Sequence, residues 1–142
     1  ADEDLIHYLK HKSRALIFSA SLPPASTASV LEAIKIMKEE PERIAKLWEN
    51  TNYMLSEFKS MGYDTGKSCT PVIPLHVGKM SVAFEMWKRL GEEGVFINPV
   101  IPPAVPPNSC LIRCSFMATH TKEQLDFALD KFSKIGKELQ LI

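Results

Sequence analysis

The stretch 109–121, "SCLIRCSFMATHT", alternates like a strand and then reaches a threonine that can open a helix. Successive side chains of an extended chain point to opposite faces, so Cys110, Ile112, Cys114 and Phe116 share one side and Leu111, Arg113, Ser115 and Met117 the other. The first set makes the better core. Arg113 then projects from the opposite face, where two readings stay open. It is either a half-exposed arginine paired with a nearby Asp or Glu, or a planar fork that grips a carboxylate with two parallel hydrogen bonds.

Downstream, Thr121 and Gln124 have capping-box spacing, and Leu125, Leu129, Phe132, Ile135 and Leu139 form a helical stripe. Upstream, "NPVIPPAVPPN" holds five of the ten prolines and reads as a stiff ordered loop between a strand at "VFINPV" and the strand carrying Arg113. "TPVIPLHVG" is a further strand, and Pro71 and Pro74 assign it to a sheet edge. Between these strands "SVAFEMWKRLGEEG" predicts a short helix with Ser81 as N-cap and Gly91 or Gly94 near its end. Before them, "EPERIAKLWENTNYMLSEFKSMG" predicts a helix whose apolar face is Ile44, Leu47, Trp48, Leu55 and Phe58, stopped at Gly62. A proline pair opens an earlier helix with Val30, Ala33, Ile34 and Met37 in phase. Residues 2–12 read as the end of a helix and "RALIF" as a short extended piece. The order predicts an α+β domain, a short, mostly antiparallel sheet with helices on one face and the other face open.

With 142 residues, 45% of them hydrophobic, the chain can bury one sizeable core without staples. Lys+Arg and Asp+Glu both number 17, which removes any bulk field for nucleic acid or an anionic membrane. Charge recognition must therefore be local. No apolar run approaches the roughly 20 residues of a membrane-spanning helix, and the acidic opening "ADEDLIHYLK" is unlike a signal peptide; this is the pattern of a cytoplasmic chain. Cys69, Cys110 and Cys114 have no histidine at zinc-ligand spacing and read as thiols, the latter two buried, with no metal. His76 and His120 read as structural, and Ser19 and Ser21 stand before a helix without any P-loop glycine pattern. Pattern alone shows no nucleophile and leaves a binding module as one reading.

Three segments, "IFSASLPPA" (17–25), "RCSFMATHT" (113–121) and the closing "FSKIGKELQLI", resemble the C-terminal third of the α-oxoamine synthases. These are pyridoxal-phosphate (PLP) enzymes of fold type I, and the resemblance covers essentially the whole chain. The proline-rich text looks most like serine palmitoyltransferases, the sphingolipid-forming members, and the closing segment equally like glycine C-acetyltransferases. The resemblance implies a fragment: 1–23 as the tail of the large PLP-binding domain, 24–40 as a linking helix, and 41–142 as the small C-terminal domain. It implies that Arg113 holds the carboxylate of the amino-acid substrate, and that Ser19 with Ala20 reaches the cofactor phosphate across a homodimer. Relatives carry Thr or Asn where Ala20 stands, so only the Ala20 backbone can serve. The lysine that binds PLP would precede Ala1, which leaves no catalytic residue in this chain and an inactive fragment. For the parent, the implied reaction condenses serine or glycine with an acyl-CoA. A lysine-less partner subunit of a heterodimer remains an alternative.

Overall fold

The computed structural model describes residues 1–142, which divide into two units, Ala1–Glu40 and Pro41–Ile142. The first unit holds helices α1 (Glu3–Lys12), α2 (Arg14–Ile17) and α3 (Pro24–Glu39), and none of the three has a buried residue. α1 has Asp2 as N-cap, whose carboxylate accepts from the Asp4 N–H at 2.9 Å. The extended piece expected at "RALIF" is instead α2. Ser13 ends α1 and restarts the helix by accepting the Leu16 N–H, so a single cap wins over the β-prone residues that follow. The proline pair does open α3, with Pro24 at its first position.

The second unit runs α4 (Glu42–Met61), β1 (Val72–Gly78), α5 (Met80–Glu92), β2 (Asn98–Val100), β3 (Cys110–Ser115) and α6 (Lys122–Glu138). The three strands are antiparallel in the order β1-β3-β2, which puts the proline-bearing β1 on an edge and the arginine strand at the centre. This is the expected α+β architecture. Ile73, Leu75 and Val77 of β1 and Cys110, Ile112 and Cys114 of β3 face one buried side, where α5 touches all three strands and α6 packs on α4 and α5.

Helix boundaries follow local chemistry, with three departures. α4 ends at Gly62, whose φ of 100° lets the chain turn out of the helix. Its buried face is Asn50, Thr51, Met54 and Phe58, with Ile44 and Trp48 exposed. At about 100° per residue, the expected apolar set forms one arc whose middle lies roughly 60° around from the middle of the buried stripe, and the two share only Phe58. α5 begins at Met80 with Lys79 as N-cap, so Ser81 does not cap it. The Lys79 N–H already bonds the Val77 carbonyl at 3.0 Å, which turns the chain directly out of β1 into the helix. β2 is shorter than the expected strand: the Val95 N–H closes on Leu90 at 2.8 Å and only Asn98 to Val100 pair with β3. α6 carries the capping box of Thr121 and Gln124 as predicted.

Three rings centre the helical layer. Phe58 meets Phe132 and Tyr63 edge-on, with centroids 5.0 and 5.8 Å apart, and the Tyr63 hydroxyl donates to the Phe132 carbonyl at 2.8 Å. Gly136 must stay bare because a Cβ there would lie on that hydroxyl. At the rim, Arg89 pairs with Glu138, and Glu93 takes Lys131 at 2.6 Å and Lys134 at 3.1 Å, which ties α5 to α6. Hydrogen bonds from Lys131 and then Lys134 lower the Glu93 carboxyl from 4.5 to about 2.

Phe58→Ala empties the centre of this layer and is expected to cost about 3–5 kcal/mol in urea unfolding. A loss below about 1 kcal/mol would mean that the ring cluster is not where the core closes. A carboxyl whose folded value is depressed stabilises the fold fully above its ordinary 4.5, and the contribution is lost as pH falls from there through about 2. Glu93→Gln should therefore lower the thermal midpoint at neutral pH and flatten its decline over that acid window. An unchanged acid limb in the variant would contradict the ion-pair geometry.

Candidate functional site

The uncovered face of the sheet is built by the side chains that alternate away from the core: Val72, Pro74 and His76 of β1, Leu111, Arg113 and Ser115 of β3, and Asn98 and Val100 of β2. β3 is the central strand, so Arg113 stands in the middle of this face with Pro74 opposite it on one side and Asn98 on the other. Arg113 is exposed, and no acid of the chain pairs with it. None of the eight residues of the face is Asp or Glu. Of the two readings open from sequence, the arginine paired with its own neighbouring acid is therefore not what the chain builds. A guanidinium is always charged and presents donors in a fixed fork, so a bare one on an acid-free surface suits a planar anion such as a carboxylate.

The turn that follows β3 is held from behind. Asn50, buried on α4, donates its amide to the carbonyls of Met117 and His120, each at 3.0 Å, and the Met117 N–H bonds His120 Nδ1 at 3.3 Å. His120 thus braces the turn through Nδ1, a contact consistent with its position before a helix. His76 lies exposed on the edge strand with its backbone N–H on the Asp64 carbonyl at 2.9 Å, and its ring approaches Gly66.

A cleft of about 510 Å³ opens elsewhere in this unit, walled by Phe96, Phe116, Phe127 and Ala128 with His120 and Glu123 among its polar groups. Arg113 does not line it. Its own backbone N–H and then Thr121 lower the Glu123 carboxyl below its ordinary value, as expected of a carboxylate in the first turn of a helix. The cleft is mostly apolar and no Lys or Arg lines it, so it offers a carboxylate no guanidinium or ammonium partner.

Ser19 and Ala20 belong to the other unit, in the segment after α2, and both are exposed. The Ser19 N–H and hydroxyl both turn back on the Leu16 carbonyl, at 3.2 and 2.7 Å. The Ala20 N–H has no acceptor within the chain and is the free donor of the pair. Of the pair singled out in the sequence, Ser19 is therefore engaged within the chain, and the Ala20 backbone N–H is not. Asn98 went unnoticed in sequence, because a lone asparagine before a proline carries no signal until strand register sets it beside Arg113.

Cys110 and Cys114 are buried, as their strand face implied, and burial pushes the Cys114 thiol up to about 12. A thiol held protonated is a poor nucleophile. Titration of the folded chain with a disulfide reagent should modify Cys69, the exposed thiol, within minutes and leave the other two until denaturant is added. Rapid reaction of all three thiols in native buffer would show that the sheet's core face is open.

A family model described as aminotransferase class I and II matches residues 1–132. The chain is similar to a serine palmitoyltransferase of Bacteroides ovatus, 49% identical over 142 residues, covering 100% of the chain and 36% of the relative. It is also similar to an 8-amino-7-oxononanoate synthase of Fervidobacterium nodosum, 47% identical over 140 residues, covering 99% and 35%. Among solved structures, a serine palmitoyltransferase of Sphingomonas wittichii superposes with a TM-score of 0.89 at 28% identity, and an SPT solved with PLP with 0.90 at 28%; each covers 100% of this chain and 36% of the other. The chain thus spans about 36% of the length of these curated relatives.

Proposed function

From the premise that this chain belongs to the aminotransferase class I and II family, we propose that it is part of a PLP-dependent acyltransferase that joins an amino acid to an acyl-CoA, with Arg113 as the group that holds the amino acid's carboxylate. The observation that carries the reading is the bare guanidinium at the centre of an acid-free sheet face. Serine or glycine is the amino acid, and a serine palmitoyltransferase-like specificity is favoured by the 49% identity to the Bacteroides ovatus relative. The 47% identity to an 8-amino-7-oxononanoate synthase favours a second reading, an acyltransferase of the same chemistry with another pair of substrates. Glycine C-acetyltransferase specificity, suggested by the closing residues, stands beside it.

PLP, when bound, supplies an electron sink for the charge that develops at the amino acid's Cα. The residues present fit a small share of its cradle. The free Ala20 N–H suits a phosphate oxygen, and Ser19 can add its hydroxyl by turning it from Leu16. Under this proposal the pair serves the other subunit of a cytoplasmic homodimer, and the lysine that holds the cofactor lies in the part of the parent not represented here. The 142-residue chain alone is then inactive.

Arg113 contributes by orientation. Two parallel hydrogen bonds fix the plane of the carboxylate and therefore which bond at Cα is presented for breaking. In the full-length protein, Arg113→Ala should raise the KM for the amino acid by tenfold or more while the KM for acyl-CoA stays within about twofold, and Arg113→Lys should restore little because the fork is lost. An amino-acid KM unmoved by Arg113→Ala would remove the assignment. A panel of small amino acids against short and long acyl-CoAs separates the substrate readings.

A further inference from the structure

Arg113 has one lateral neighbour with hydrogen-bonding capacity directly opposite it in the register. Its partner on β1 is Pro74, which has neither a polar side chain nor an N–H to offer, and its partner on β2 is Asn98. Side chains paired directly across an antiparallel ladder share a face with their Cβ atoms about 4.5–5.5 Å apart. Asn98 is exposed, and its carboxamide has no hydrogen-bond partner within the chain. Ionisation would not explain an asparagine here, and packing does not use it. Two polar groups without partners, one cationic and one a neutral donor, thus stand side by side on a surface that is otherwise Val, Pro, Leu, Ser and His.

We propose that Asn98 is a second ligand of the substrate carboxylate, donating its amide N–H to an oxygen that the Arg113 fork holds. The assignment rests on the reading of Arg113 given above. A carboxylate offers about four lone-pair sites and the fork uses two, so each oxygen keeps one directed sideways, toward the flanking strands. On the β1 side the residue directly opposite, Pro74, has no donor to meet it; on the β2 side the carboxamide can. The third bond removes the remaining rotation of the carboxylate about its contact with the arginine, and Asn98 so acts as a positioning and specificity residue. It favours ligands that carry an unmodified carboxylate, and among those it fixes one orientation.

Hydrogen bonds to charged groups are worth enough to change affinity by roughly ten- to a hundredfold. In the full-length holoenzyme, Asn98→Ala is expected to raise the amino-acid KM about tenfold. Asn98→Asp, nearly identical in shape, is expected to raise it more, because the new carboxylate pairs with Arg113 and repels the substrate. Neither variant should move the thermal midpoint or the acyl-CoA KM, since the side chain is exposed and unbonded. Equal amino-acid KM values in Asn98→Asp and the parent, with Arg113→Ala impaired, overturn the Asn98 assignment alone. An unimpaired Arg113→Ala overturns the arginine's role and this one with it. A fall in thermal midpoint with both substrates' KM values raised would make Asn98 a structural residue and likewise overturn the proposal.

Discussion

A guanidinium cannot be put into a core without a partner, and the strand that carries Arg113 has none to give it. That single constraint, together with the strict alternation of a strand, decides how β3 sits. A slip of one residue would send Arg113 under the helices and bring Cys110, Ile112 and Cys114 into water, so the register is strongly specified. β1 and β2 then inherit their faces from β3, and the helical layer can form on one side only.

The helices hold that choice in place by different means at different depths. At the centre, Phe58, Tyr63 and Phe132 lock α4 to α6 by edge-on packing. Behind the end of β3, Asn50 donates to two carbonyls of the turn, that of Met117, which also accepts the His120 N–H, and that of His120, which ties the end of the strand and the start of α6 to α4. At the rim, the Glu93 and Arg89 ion pairs join α5 to α6 in solvent, where they set alignment more than stability. The apolar cleft shows the contrast, for no Lys or Arg lines it, whereas the sheet face carries Arg113.

Most of the architecture could be read from residues that act locally. The Thr121–Gln124 box, the stop at Gly62, the proline-marked edge strand and the two faces of β3 all depend on neighbours within a few positions, and all are present. The misread elements share a cause. "RALIF" has strand-prone residues but is captured by the Ser13 cap, and the α5 start is set by a turn out of β1 and not by the serine that follows. Ile44 and Trp48 are apolar and helical, yet which side of a helix is buried depends on what it meets, and α4 turns Asn50, Thr51, Met54 and Phe58 inward.

The candidate site divides along the same line. Sequence alone determined that Arg113 leaves the core face, because a period of two is a property of the chain itself. Only the tertiary structure decided that no acid reaches it, that Pro74 and Asn98 flank it, and that the backbone of Ala20 and not the hydroxyl of Ser19 stands free. Those facts depend on which strands pair and in what register, that is, on distances between residues far apart in the chain, and no local periodicity encodes them.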